Sequence, residues 1–272
     1  MNGQEFREAL HAGRRVYGTA VTSAAAPFFS RVKRLGLDWV FIDNEHAPLG
    51  RESTAWLCQA YAAAGIVPIV RIPAHEPYLA TMAADAGALG VIVPYVEDPE
   101  IVRQVVGAVK WRPLKGQKLQ DLLRGRPSSA PETLEYLRQR NSQVSVIINV
   151  ESTPALARLD ELCSVEGLDG VLIGPNDLSI QLDLPEQYHH PRFIEACVQI
   201  IQTARAHGLG AGSHIWYSLD RQQELIRAGA NIIAHSGDFA LGPEVLRRDI
   251  PALRQFCGDL EGVAAPEALE EV

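Results

Sequence analysis

Lysine is the scarcest common charged residue here: of 25 lysines and arginines in 272 residues, only Lys33, Lys110, Lys115 and Lys118 are lysine. None stands at the end of a strand-like segment, which closes the route through a Schiff base formed on an amine inside a folded core. Cysteine is equally thin. Cys58, Cys163, Cys197 and Cys257 are scattered with no close pair, so neither a thiolate metal site nor a disulfide framework is expected. No apolar run reaches the ~18–20 residues that cross a bilayer. The start, MNGQEFREAL, has no charged stretch leading into an apolar one. A cytoplasmic protein without a membrane partner is therefore expected. Acids outnumber bases, 33 to 25, for a net charge of −8, which leaves no basic face for nucleic acid. What is plentiful is apolar: 47% of the residues are hydrophobic, enough for a full core.

Strand-like and helix-like segments alternate along the chain after a leading helix over roughly 3–12. Apolar, β-branched runs predict strands near 16–22, 38–43, 66–71, 89–94, 144–151, 169–174, 209–214 and 231–235. Amphipathic stretches predict helices near 25–35, 51–64, 76–86, 99–110, 154–162, 191–207 and 219–228, with a last one near 243–256. Eight such repeats predict right-handed crossovers, a parallel sheet and closure into a single (β/α)8 TIM barrel spanning residues 1–272. The rival, an open doubly wound sheet, lacks a GxGxxG turn after its first strand. Residues 111–143, between strands four and five, are too long for an ordinary repeat. Their first part carries Arg112, Lys115, Lys118, Arg124 and Arg126 against Asp121, and their second, APETLEYLRQRN, reads as a capped helix. A long loop on the active face would serve as a lid or subunit contact.

Polar chemistry gathers where the strands end. FIDNEHAP (41–48), PIVRIP (68–73), IINVEST (147–153) and VLIGPNDLS (171–179) each break from an apolar run into polar or charged residues, the position of active sites in such barrels. Glu151 and Asp177 lie 26 residues apart, about one strand–helix repeat, so neighbouring strands should bring both to one mouth. Two carboxylates without cysteine or histidine nearby make an oxygen-only site suited to Mg²⁺ or Mn²⁺, other divalent ions such as Co²⁺ remaining open. In the turn DNEH, Asp43 is placed to fix the tautomer of His46 and prepare it as a base. Arg71 ends the adjacent strand and is suited to a carboxylate or an enolate oxygen. With the lysine route closed, any carbanion must be stabilised by metal.

FIDNEHAP, PIVRIP, ALGVIVPYVE, NVES and GLDGVLIGPNDLS together resemble the HpcH/HpaI class II aldolases of the phosphoenolpyruvate/pyruvate barrel superfamily, in family order over residues 5–256. The resemblance implies metal-dependent, reversible cleavage of 4-hydroxy-2-oxo acids to pyruvate and an aldehyde. It places the metal on Glu151 and Asp177, the base on His46 supported by Asp43, and the oxyanion arginine at Arg71. Substrate would meet the GPND turn, Gly174, Pro175 and Asn176, with Asn149, Ser213 and His214 as further candidates. It also implies a hexamer, a trimer of dimers that exchange their last helix. Three departures stand out: Asn149 where glutamine is usual, KGQKLQDLLRG in place of a GxRG segment, and AGSHIWYS, with His214 and Trp216, in place of a more apolar run. His235 and Ser236 are lesser candidates. Alternatives with the same enolate are oxaloacetate decarboxylation and a CoA-thioester lyase, the insertion's bases then meeting CoA phosphates. A barrel that binds a small acid without turnover is the third.

Overall fold

The computed structural model describes residues 1–213 and 219–239, with Ile250, Leu253, Arg254 and Cys257 beyond them. Of the expected last helix near 243–256 only Ile250, Leu253 and Arg254 are described, and His214 and Trp216 lie outside the described residues. Helix α1 (Gly3–His11) precedes β1 (Val16–Val21), α2 (Ala26–Val32), β2 (Trp39–Asp43), α3 (Arg51–Ala63), β3 (Val67–Arg71), α4 (Pro77–Asp85) and β4 (Gly90–Val93). The second half runs α5 (Pro99–Lys110), α6 (Gly116–Leu123), α7 (Pro131–Arg140), β5 (Ser145–Val150), α8 (Thr153–Ala157), α9 (Leu159–Cys163), β6 (Gly170–Ile173), α10 (Pro175–Gln181), α11 (Pro191–Ala206), β7 (Gly210–Ser213), α12 (Leu219–Ala228) and β8 (Ile232–Gly237). The eight strands pair in parallel in chain order, and β8 closes on β1.

Every residue of β2 to β7 is buried, as a parallel sheet covered by helices requires. Outward residues such as Val40, Val70, Val91, Ile148 and Val171 pack into the layer under the helices. Inward ones, among them Trp39, Phe41, Ile69, Ile147 and Leu172, form a second cluster that Phe6, Ala9 and Leu10 of α1 join. The leading helix thus plugs the end of the barrel where the strands begin. Gly18 makes room in this interior, since a Cβ there would meet the Trp39 ring at 2.6 Å. Alternation carries the inward row one step past its apolar part. Trp39 and Phe41 lead to Asp43, Val67 and Ile69 to Arg71, and Ile147 through Asn149 to Glu151. The polar groups at the mouth are the top layer of the core.

At the opposite end Asp169, fully buried, collects a cluster of cations. It accepts from Arg7 Nε (2.6 Å), His11 Nε2 (3.0 Å), Lys110 Nζ (2.5 Å) and the Val146 N–H (2.8 Å). Burial alone would raise its carboxyl, but Lys110, His11 and Arg7 hold it far below the usual range. Asp169→Ala should lower stability by ~3–5 kcal/mol in urea unfolding, because it strands buried cations; a loss below about 1 kcal/mol would mean the cluster is solvated in solution. The hydrogen bond and charge of Asp169 raise His11 above its ordinary 6.5, against partial burial. What His11 contributes is therefore fully present below 6.5 and is lost as pH rises through its higher folded-state value. His11→Gln should cost more stability at about pH 5.5 than at about pH 8.5.

The insertion does not sit on the active face. It follows α5 and precedes β5, so it is a helix-to-strand connection and both its ends lie at the plugged end. Lys110 marks its start there, and Asn141 Nδ2 closes it by donating to the Arg112 carbonyl (2.8 Å). Its basic half is helical. Leu119 of α6 is buried, and Leu123 lies so close to α5 that a Cβ at Gly107 would meet it at 2.8 Å. The expected capped helix is α7, which starts on Pro131 after Ala130 without a side-chain cap.

Candidate active site

The DNEH turn is built around Asp43. Its Oδ1 accepts the backbone N–H of Glu45 (2.9 Å) and of His46 (3.4 Å), an arrangement in which a short acid folds its own turn. Strand register sets Asp43 directly beside Arg71. The guanidinium closes on the carboxylate as a fork, Nε to Oδ1 at 2.9 Å and Nη2 to Oδ2 at 2.7 Å, and lies over the Phe41 ring at 5.2 Å. Burial alone would raise the Asp43 carboxyl, but the hydrogen bonds and charge of Arg71, with both backbone N–H groups, hold it below its ordinary value.

This pairing changes what was expected of Asp43. Its oxygens are given to Arg71 and to the turn, so the imidazole of His46 has a different neighbour. His46 Nε2 lies 3.7 Å from Glu45 Oε2, and the His46 side chain is 66% exposed. Glu45 also meets Arg71 Nη1 at 3.0 Å. Burial raises the Glu45 carboxyl and the charges of Asp43 and Asp177 add to this, while Arg71 and His46 oppose it. Sequence reasoning assigned Glu45 no role. The available signal was its place between the aspartate and the histidine of a four-residue turn.

Glu151 and Asp177 reach the same mouth from adjacent strands by different routes. Glu151 directly follows β5 and is 3% exposed. Its Oε1 accepts the Tyr95 N–H at 2.6 Å and its Oε2 faces Asn149 Nδ2 at 3.3 Å. Asp177 lies in the first turn of α10, a short helix that the strand-and-helix reading did not contain. Burial and the Asp177 charge push the Glu151 carboxyl up to about 7. Gly174 fits against that carboxylate so closely that a Cβ there would lie 1.7 Å from Oε2. Pro175 is buried at the start of α10, and Asn176 Oδ1 accepts the Tyr188 hydroxyl at 2.5 Å. Ser213 is not brought to the mouth. It shares the outward register of Ala211, and its Oγ donates to the Ile173 carbonyl at 3.4 Å.

The donor set fits a hard divalent cation. Among the described residues no cluster of three or more histidine, cysteine, aspartate or glutamate side chains forms a metal cage. Two carboxylates do converge, and Asn149 Oδ1, in the same inward row, is buried without a hydrogen-bond partner among the described residues. An all-oxygen set of few protein ligands suits ions that keep water and substrate oxygens in their shell.

The model of the HpcH/HpaI aldolase/citrate lyase family matches residues 17–241. A 2-keto-3-deoxy-L-rhamnonate aldolase of Salmonella gallinarum is 34% identical over 246 residues, 89% of this chain and 90% of that protein. An HpcH/HpaI aldolase/citrate lyase family protein from Burkholderia cenocepacia J2315 superposes with a TM-score of 0.78 at 25% identity, over 92% of this chain and 99% of its own. The citrate synthase SbnG superposes equally well, with a TM-score of 0.78 at 26% identity over 93% and 98%.

Proposed function

The chain belongs to the HpcH/HpaI aldolase/citrate lyase family of carbon–carbon lyases, and from that footing we propose that it cleaves 4-hydroxy-2-oxo acids reversibly to pyruvate and an aldehyde. Class II aldolases of this family are generally dependent on a divalent metal. The observation that carries the reading is the top layer of the barrel: Asp43, Arg71 and Glu151 end three inward rows, with Asp177 beside them. Glu151 and Asp177 would hold the cation, Mg²⁺ or Mn²⁺. When bound, it supplies Lewis-acid polarisation of the 2-oxo group.

The chain's own residues do the rest. His46, exposed at the mouth, takes the proton of the substrate's 4-hydroxyl. The bond between carbons 3 and 4 then breaks, carbon 4 leaves as the aldehyde, and the electron pair passes into the enolate of pyruvate. Arg71, held rigid by the Asp43 fork, faces the enolate oxygen with a fixed positive charge that needs no reorganisation. His46 returns its proton to carbon 3. Glu45, between His46 and Arg71, orients the imidazole in the role first expected of Asp43. The relative's name makes 2-keto-3-deoxy sugar acids the first substrates to assay.

Proton NMR of pyruvate in deuterated buffer tests this directly. The methyl signal should disappear with protein and Mn²⁺ and persist after chelation. His46→Ala should slow the exchange by at least ~10²-fold, the lower range of general-base catalysis, and unchanged exchange would remove His46 as the base. No exchange in the wild type, with Mn²⁺ shown to be bound, would move the substrate from pyruvate to another 2-oxo acid or a thioester. The insertion's bases offer no support for a CoA substrate, because both ends of that segment lie at the plugged end of the barrel.

A further inference from the structure

Tyr95 has no place in the chemistry above, yet it bonds Glu151 and the helix that carries Asp177. It follows β4 and Pro94 with φ at +48°, a left-handed conformation that is uncommon for an aromatic residue. Such backbone persists only where the surroundings fix it. Here two bonds do so. The N–H of Tyr95 donates to Glu151 Oε1 at 2.6 Å. Its hydroxyl accepts from Gln181 Nε2 at 3.0 Å. Gln181 is the last residue of α10, and Asp177 is four residues before it, on the same side of that helix.

We propose that Tyr95 is a positioning residue that sets the spacing of the two carboxylates, holding Glu151 through its backbone N–H and Asp177 through the Gln181 bridge to α10. The proposal rests on the reading that Glu151 and Asp177 form one divalent-cation site. Glu151 is confined on its other side by Gly174, so the Tyr95 N–H fixes the oxygen that remains free to turn. Asp177 sits on a seven-residue helix whose buried residues, Pro175, Leu178 and Ser179, all precede Gln181 at its end. A bond from its last turn to the β4 loop restrains that helix as a lever. One residue thereby links strands β4, β5 and β6 at the mouth.

The test is Mn²⁺ binding to the intact protein, followed by electron paramagnetic resonance and by titration calorimetry, with thermal unfolding checking that each variant is folded. Tyr95→Phe keeps the backbone bond and loses the bridge. It should weaken Mn²⁺ binding about three- to tenfold, the size of one hydrogen bond. Gln181→Leu should do the same, and the double variant should lose no more than either single one, because both remove one bridge. Tyr95→Ala should bind more weakly than Tyr95→Gly. Glycine adopts a φ of +48° freely, whereas alanine relaxes away from it and carries the N–H off Glu151. If Phe, Leu, Ala and Gly variants all bind Mn²⁺ like the wild type, Tyr95 has no positioning role. If the wild type binds none, or Glu151→Gln binds as well as the wild type, the cation site itself is lost and the proposal with it.

Discussion

Glu151→Gln should abolish turnover while leaving a protein that folds at least as well as the wild type. The substitution keeps size and shape and removes one negative charge. Without it Asp177 alone faces the cation, and loss of the Lewis acid should lower the rate of pyruvate methyl exchange by ~10³-fold or more, the equivalent of several kcal/mol of transition-state stabilisation. Stability should move the other way in metal-free buffer. Burial and Asp177 push the Glu151 carboxyl up to about 7, so its ionised form is disfavoured in the folded state. Its presence therefore weakens folding above its ordinary value, and the full penalty is reached once pH exceeds the folded-state value. At about pH 8 the glutamine variant should melt above the wild type without metal, and added Mn²⁺ should raise the wild type only. Near-normal exchange by the variant would remove Glu151 from the metal site. A lower melting temperature without metal would mean the carboxylate is stabilised by groups other than those described here.

That opposition of activity and stability explains how the site could be found in sequence at all. Acids and an arginine at the ends of apolar strands make no sense as core, and the period of two fixes which of them face inward. Asp43, Arg71 and Glu151 were read from their places at strand ends and Asn149 from the family resemblance, and the structure places all four in the inward rows. All eight strands lie where apolar runs predict them, because a strand buried on both faces has a strong and continuous signal. Contacts between segments distant in sequence were not legible. The bidentate closure of Arg71 on Asp43 depends on register between β2 and β3, and it displaces the expected contact from Asp43 to the His46 ring. Glu45 takes that place because its side chain turns back from the loop to His46 and Arg71, a direction that its position between Asp43 and His46 leaves open. The insertion was expected on the active face, but a segment that follows α5 and leads into β5 joins a helix to a strand and lies at the plugged end. Asp169 was invisible for the same reason: Arg7, His11 and Lys110 reach it from two other elements. Tyr95 gave no signal either, since a left-handed φ in a tyrosine leaves no mark in the sequence.

Gly174→Ala isolates the geometry of the site from its charge. The backbone at Gly174 has φ −93° and ψ 98°, which alanine adopts without strain, so the effect is steric. The new Cβ would lie 1.7 Å from Glu151 Oε2 and 2.8 Å from its Cδ. Neither contact is possible, and one of two groups must move. Glu151 can leave its place between Tyr95 and Asn149, or the junction of β6 and α10 can shift and carry Asp177 with it. Either movement separates the two carboxylates by a substantial fraction of an ångström. A misplacement of about 1 Å at a reacting centre costs ~10²-fold in rate, and Mn²⁺ affinity should fall in parallel. Overpacking should cost ~1–3 kcal/mol of stability. Gly18→Ala provides the comparison, because its Cβ would strike the Trp39 ring at 2.6 Å deep in the barrel, below the mouth. It should cost stability to a similar degree while leaving Mn²⁺ affinity and the exchange rate per folded molecule close to wild type. If Gly174→Ala behaves like Gly18→Ala, losing stability alone, then Glu151 tolerates displacement and the close fit of the β6–α10 turn is a matter of packing. If it loses affinity and rate beyond its loss of stability, the absence of a side chain at 174 is part of how the site holds its cation.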